Sequence, residues 1–78
     1  MAEVVQSTLG ARLAARVREL RQLRGMSQGE LAETLGVNQS AVSAFEKPDR
    51  TNFNLGTLEQ LAWALECDLV VELRERGQ

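Results

Sequence analysis

The chain has 78 residues, 44% hydrophobic and 26% charged, with a formal net charge of −2 and a pI near 5.1. That length holds one small domain, and the single cysteine, Cys67, excludes an internal disulfide and fits a reducing compartment. With no histidine, no tyrosine, no Cys or Asp cluster at metal-ligand spacing, and Gly25, Gly29 and Gly36 too scattered to cradle a phosphate, neither an enzyme nor a metal or cofactor site is expected.

Residues 1–7, MAEVVQS, read as an N-terminal tail without the basic segment and apolar stretch of a secretory signal. No apolar run approaches the roughly 20 residues of a membrane span, so a cytoplasmic location without a membrane partner is expected. Residues 8–24 place Leu9, Leu13, Val17 and Leu20 on one helical stripe, which Ser7 or Thr8 caps and Gly25 ends. Ser27 and Glu30 form a capping box, opening a second helix with Leu31, Ala32 and Leu35 inward. Gly36 breaks it, Val37 is expected to be buried in the turn, and Asn38 caps a third helix, 39–47, with Val42 and Phe45 inward.

Pro48 stops that helix and the loop KPDRTNFN follows. Asn54 caps a fourth helix, 55–66, with Leu55, Leu58, Leu61, Ala62 and Leu65 inward, so the helical domain spans 8–67. Residues 68–78 form a C-terminal strand and tail. In CDLVVELRE, Leu69, Val71 and Leu73 share one face, and Val70, Glu72 and Arg74 the other. A lone apolar strand is a liability unless covered. One cover is the same strand of a second copy, making Leu69, Val70, Val71, Glu72 and Leu73 a dimer interface; the other is packing on the chain's own helices.

On the third helix, burying Val42 and Phe45 turns Ser40, Ser43, Ala44 and Lys47 outward, with Gln39 at the N-terminal edge. A helix face that is small, polar and free of acids suits the DNA major groove, where an amide pairs with adenine and a methyl touches thymine. A plain solvated face has the same wheel. Two short capped helices joined through Gly36 are, however, the helix-turn-helix arrangement.

The stretch RELRQLRGMSQGELAETLGVNQSAVSAFE (18–46), with TLEQLAWAL (57–65) as a later helix, resembles the XRE family of phage-repressor and Cro-type DNA-binding proteins. The resemblance implies an all-α fold: a compact four- to five-helix, lambda-repressor-like helix-turn-helix domain, here with a short C-terminal β-strand. It implies that Gln28 contacts a phosphate at a helix N-terminus, that Gln39, Ser40 and Ala44 read bases with Ser43 and Lys47 beside them, and that Arg21 and Glu46 form a structural ion pair. Asn38, Arg50, Thr51 and Asn52 complete the expected DNA-binding set. After Glu46 the chain departs from the common Asn-Gly-Lys, having Lys47-Pro48-Asp49-Arg50, and there it resembles the Hip-type antitoxin branch. That match implies a homodimer joined through the strand, repression of its own operon and binding of a kinase-like toxin.

Charge placement reconciles an acidic chain with a DNA partner. Residues 12–24 hold Arg12, Arg16, Arg18, Arg21 and Arg24 against Glu19, whereas 59–75 hold Glu59, Glu66, Asp68, Glu72 and Glu75 against Arg74. Any one of the first-helix arginines is expected to be solvated or structural. The sequence therefore points to a dimeric, sequence-specific repressor on a palindromic double-stranded operator. The alternative is a protein-interaction module that uses the same fold without DNA.

Overall fold

The computed structural model describes residues 2–47, 49 and 53–77, with the backbone alone at 2–8. Among these residues four helices follow one another: α1 (Ala2–Leu23), α2 (Gln28–Leu35), α3 (Gln39–Phe45) and α4 (Leu55–Ala64). Val17, Leu31, Ala32, Val42, Leu61 and Leu65 bring all four together in one core. Leu20, Met26, Leu35, Phe45, Phe53 and Cys67 pack around it half-buried. No described helix is long and apolar enough to cross a membrane.

The first helix differs from expectation in extent and rotation. It begins at Ala2, so residues 2–7 are helical rather than a tail, and Ser7 and Thr8 lie within the helix instead of capping it. AEVVQ contains no glycine or proline, and adding turns to a nucleated helix costs little. The buried face is Gly10, Ala14, Val17 and Arg21, with Leu13 and Leu20 half-buried and Leu9 51% exposed.

Three helices end in the same hydrogen-bonded motif. After α1, Gly25 N–H donates to Gln22 O and Met26 N–H to Arg21 O; after α2, Gly36 N–H donates to Glu33 O and Val37 N–H to Ala32 O. After α4, Glu66 N–H donates to Trp63 O and Cys67 N–H to Ala62 O. These are Schellman caps, whose pivotal residue adopts the left-handed conformation: φ is 70° at Gly25, 74° at Gly36 and 57° at Glu66. The first two belong to glycine, which adopts that conformation without a Cβ clash. Glu66 lacks that freedom.

Helix boundaries and exposures carry further corrections. α3 ends at Phe45, with Glu46 as its C-cap, before Pro48, which lies outside the described residues. Val37 is 39% exposed because the cap fixes its backbone while leaving its side chain at the rim of the turn. Leu55, expected inward, is 63% exposed: it is the first residue of α4, and the next leucine, Leu58, is half-buried. Phe45 and Phe53 bring the loop ends together, with ring centroids 6.4 Å apart. Residues 68–77 form no ladder with any described residue of the chain; Leu69 is half-buried, while Val70, Val71, Glu72 and Leu73 are exposed.

Candidate nucleic-acid interface

Local side-chain chemistry sets both short helices. Ser27 Oγ accepts from Glu30 N–H at 3.0 Å, and Glu30 Oε1 accepts from Ser27 N–H at 2.8 Å, closing the expected capping box. Asn38 Oδ1 accepts from Ala41 N–H at 3.0 Å and from Ser40 Oγ at 2.7 Å. The Asn38 carbonyl is thus taken up by the helix start, which leaves its NH2 as the group to offer a ligand. Between the caps, the left-handed Gly36 turns the chain so that α3 packs against α2.

This geometry brings the starts of α2 and α3 side by side. A Cβ placed on Gly29 would lie 3.8 Å from Gln39 Oε1, so the side chain of Gln39 reaches back over the first turn of α2. Gln39, Ser40 and Lys47 are exposed, and Ser43 and Ala44 are half-buried beside them. Gln28 is half-buried at the first position of α2. Arg50, Thr51 and Asn52 lie outside the described residues.

The expected pair of Arg21 and Glu46 is formed. Arg21 donates from Nε to Glu46 Oε2 at 2.6 Å, from Nη2 to Oε1 at 3.2 Å, and from Nη1 to Met26 O at 2.7 Å. Glu46 Oε1 also accepts from Gln28 Nε2 at 3.1 Å. The pair is buried, and every buried side-chain nitrogen and oxygen among the described residues has a partner. Glu46 is the one acid between Thr34 and Lys47, so its enclosure against Arg21 leaves the exposed surface of that stretch without a carboxylate.

Two more arginines, Arg16 of α1 and Arg24 just past its end, have structural partners. Arg16 bridges Glu19 on the exposed side of the helix. Arg24 donates from Nε to Leu65 O and from Nη2 to Glu66 O, at the end of α4. The Arg24 contacts and the bond from Gln28 to Glu46 join residues 18 or more positions apart, and nothing in local sequence spacing signals them. No group of three or more His, Cys, Asp or Glu suited to a metal ion lies among the described residues.

Comparison with known proteins places this geometry among relatives. A family model described as Helix-turn-helix matches residues 17–71. The restriction-modification controller protein C.AhdI from Aeromonas hydrophila is 34% identical, with a TM-score of 0.70 over 80% of this chain and 88% of that one. SinR, the master regulator for biofilm formation, in its complex with DNA, is 32% identical with a TM-score of 0.65 over 72% of this chain and 89% of that one. A chain of the HipA-HipB-O2-O3 complex is 29% identical, with a TM-score of 0.68 over 85% of this chain and 92% of that one. No curated protein matches.

Proposed function

This chain belongs to the helix-turn-helix family, and from that premise we propose that it is a sequence-specific DNA-binding transcriptional regulator, acting as a homodimeric repressor in the cytoplasm. The observation that carries the reading is the acid-free exposed face of α3, built onto α2 through Ser27, Gly36 and Asn38, with its one carboxylate enclosed. Gln39, Ser40 and Ala44 present an amide, a hydroxyl and a methyl to base edges, with Ser43 and Lys47 alongside. Gln28, Asn38 and the loop residues Arg50, Thr51 and Asn52 serve the phosphates.

Few cations face the groove, so a single copy binds weakly and with a shallow salt dependence. Pairing two copies through residues 69–73 doubles the site. Two copies of α3 spaced roughly 34 Å apart read half-sites one helical turn apart in a palindrome.

A second activity has its own support. Leu55, Trp63, Val70, Val71 and Leu73 are exposed on α4 and the C-terminal segment, among Glu59, Glu66, Asp68, Glu72 and Glu75. Exposed apolar side chains interspersed in sequence with acids suit a protein partner that carries basic groups. Together with the likeness to a chain of the HipA-HipB-O2-O3 complex, this favours an antitoxin that also holds a kinase-like toxin.

Fluorescence anisotropy with the duplex upstream of the protein's own coding sequence, against a scrambled duplex, tests the DNA reading. Preference for the native duplex at physiological salt is the expected result. Equal binding to both, or none, overturns autorepression and puts the protein partner first.

A further inference from the structure

We infer that Glu46 is a positioning residue for DNA binding: through its bond to Gln28 it aims the Gln28 amide at the phosphate backbone. The inference rests on the DNA-binding reading above and deepens it. Its basis is the three-way junction at Glu46, where Oε1 accepts from both Arg21 Nη2 and Gln28 Nε2 while Oε2 accepts from Arg21 Nε.

A glutamine amide at the start of a helix has two ends and freely rotating torsions. An ionised carboxylate accepts and never donates, so it selects the NH2 end of the Gln28 amide and repels its carbonyl. The amide is planar, so one N–H held on Glu46 Oε1 fixes the direction of the other. That second N–H makes no hydrogen bond among the described residues, and Gln28 is the first residue of α2, where unpaired backbone N–H groups already favour an anion. The charge on Glu46 also polarises the amide and makes its free N–H a better donor.

Glu46 is itself held. Arg21 grips both of its oxygens, and the Glu46 N–H donates to Val42 O and Ser43 O at the end of α3. Arg21 in turn is tied to Met26 O in the turn before α2. The end of the proposed base-reading helix and the phosphate-facing start of α2 therefore share one carboxylate. A side chain buried beneath the surface sets the pose of one on it.

A double-mutant cycle tests this, with Gln28→Ala, Glu46→Gln and the double variant titrated by anisotropy against the wild-type protein's preferred duplex. Circular dichroism confirms that each variant is folded at the working temperature. Each single change is expected to weaken binding about tenfold, near the size of one hydrogen bond to a charged oxygen. The double variant should lose little more than either single one. Because the contact is to the backbone and neither change removes a cation, preference over scrambled duplex and the salt slope should stay unchanged.

Losses that multiply in the double variant, or a Gln28→Ala protein that binds like wild type, overturn the inference and leave the regulator reading intact. Wild-type protein that binds no duplex overturns both. If Glu46→Gln does not fold, Glu46→Asp takes its place in the cycle, since it keeps the charge for Arg21 and withdraws the acceptor from Gln28.

Discussion

Arg24, one residue past the end of α1, donates its Nε to the carbonyl of Leu65 at 2.8 Å and thereby closes the far end of α4. The same guanidinium reaches Glu66 O through Nη2 at 2.9 Å. The last carbonyls of a helix have no partner within it and carry the negative end of its dipole, so a cation there is doubly favourable. One side chain ties together segments 41 residues apart in the chain.

Replacing Arg24 with alanine should therefore destabilise the fold by about 1–2 kcal/mol, the low end for hydrogen bonds to a charged donor because the side chain is exposed. Lysine should recover part of the loss, because it restores the charge and not the two-pronged geometry. Urea denaturation of the variants measures both. DNA affinity at a temperature where each is folded should stay within about twofold of wild type, since the loss is one of stability alone.

Glu66 holds a left-handed backbone that glycine holds after α1 and α2. A Cβ in that conformation costs roughly 1–2 kcal/mol, offset in part by the extra freedom glycine has in the unfolded chain. Glu66→Gly should raise stability by about 1 kcal/mol and the melting temperature by several degrees. Thermal melts that show no gain would mean that the carboxylate contributes something the cap geometry does not reveal.

Changing Gln39 and Ser40 together to alanine separates recognition from assembly. Both are exposed, and of the two only Ser40 has a side-chain hydrogen bond among the described residues, to Asn38. Loss of the amide contact to a base should cost about 1–3 kcal/mol of discrimination. Light scattering should show the same mass as the wild-type protein, and an unchanged preference for operator over scrambled duplex would rule these residues out as readers.

Proline at Val71 removes a backbone donor from the segment proposed to pair between copies. The expected outcome is a shift toward monomer in sedimentation, with helical content retained, because residues 68–77 form no ladder with any described residue of the chain. Trp63, the sole tryptophan, is 72% exposed and reports separately on α4. Its emission should be that of a solvated indole and should move to shorter wavelength when a partner protein covers that face.

Local rules reached furthest where a few adjacent residues decide the backbone. Ser27 with Glu30, Gly36, Asn38 and Asn54 all do what their positions suggest, because capping and turn formation are settled within four residues. The pair of Arg21 and Glu46 came from family resemblance, since no spacing rule connects positions 25 apart. Hydropathy put Leu13, Val17 and Leu20 on the inner side of α1, but it misjudged Leu9 and missed Gly10 and Ala14, whose small size an apolar stripe does not register. It misjudged Leu55 for another reason: a side chain at the first position of a helix overhangs the core edge. The alternation at 69–73 is plain in sequence, but no described residue of the chain pairs with it.

Between the left-handed Gly25 and Gly36, and on to the capped start of α3, the chain's path is set by backbone geometry and by Ser27, Glu30 and Asn38. Among Gln39, Ser40, Ser43, Ala44 and Lys47, the side-chain hydrogen bond from Ser40 to Asn38 is the one such tie to the fold among the described residues. We propose that those five positions form an interchangeable cassette, at which a lineage, or an engineer, can rewrite the DNA sequence this protein prefers while the scaffold beneath keeps its shape.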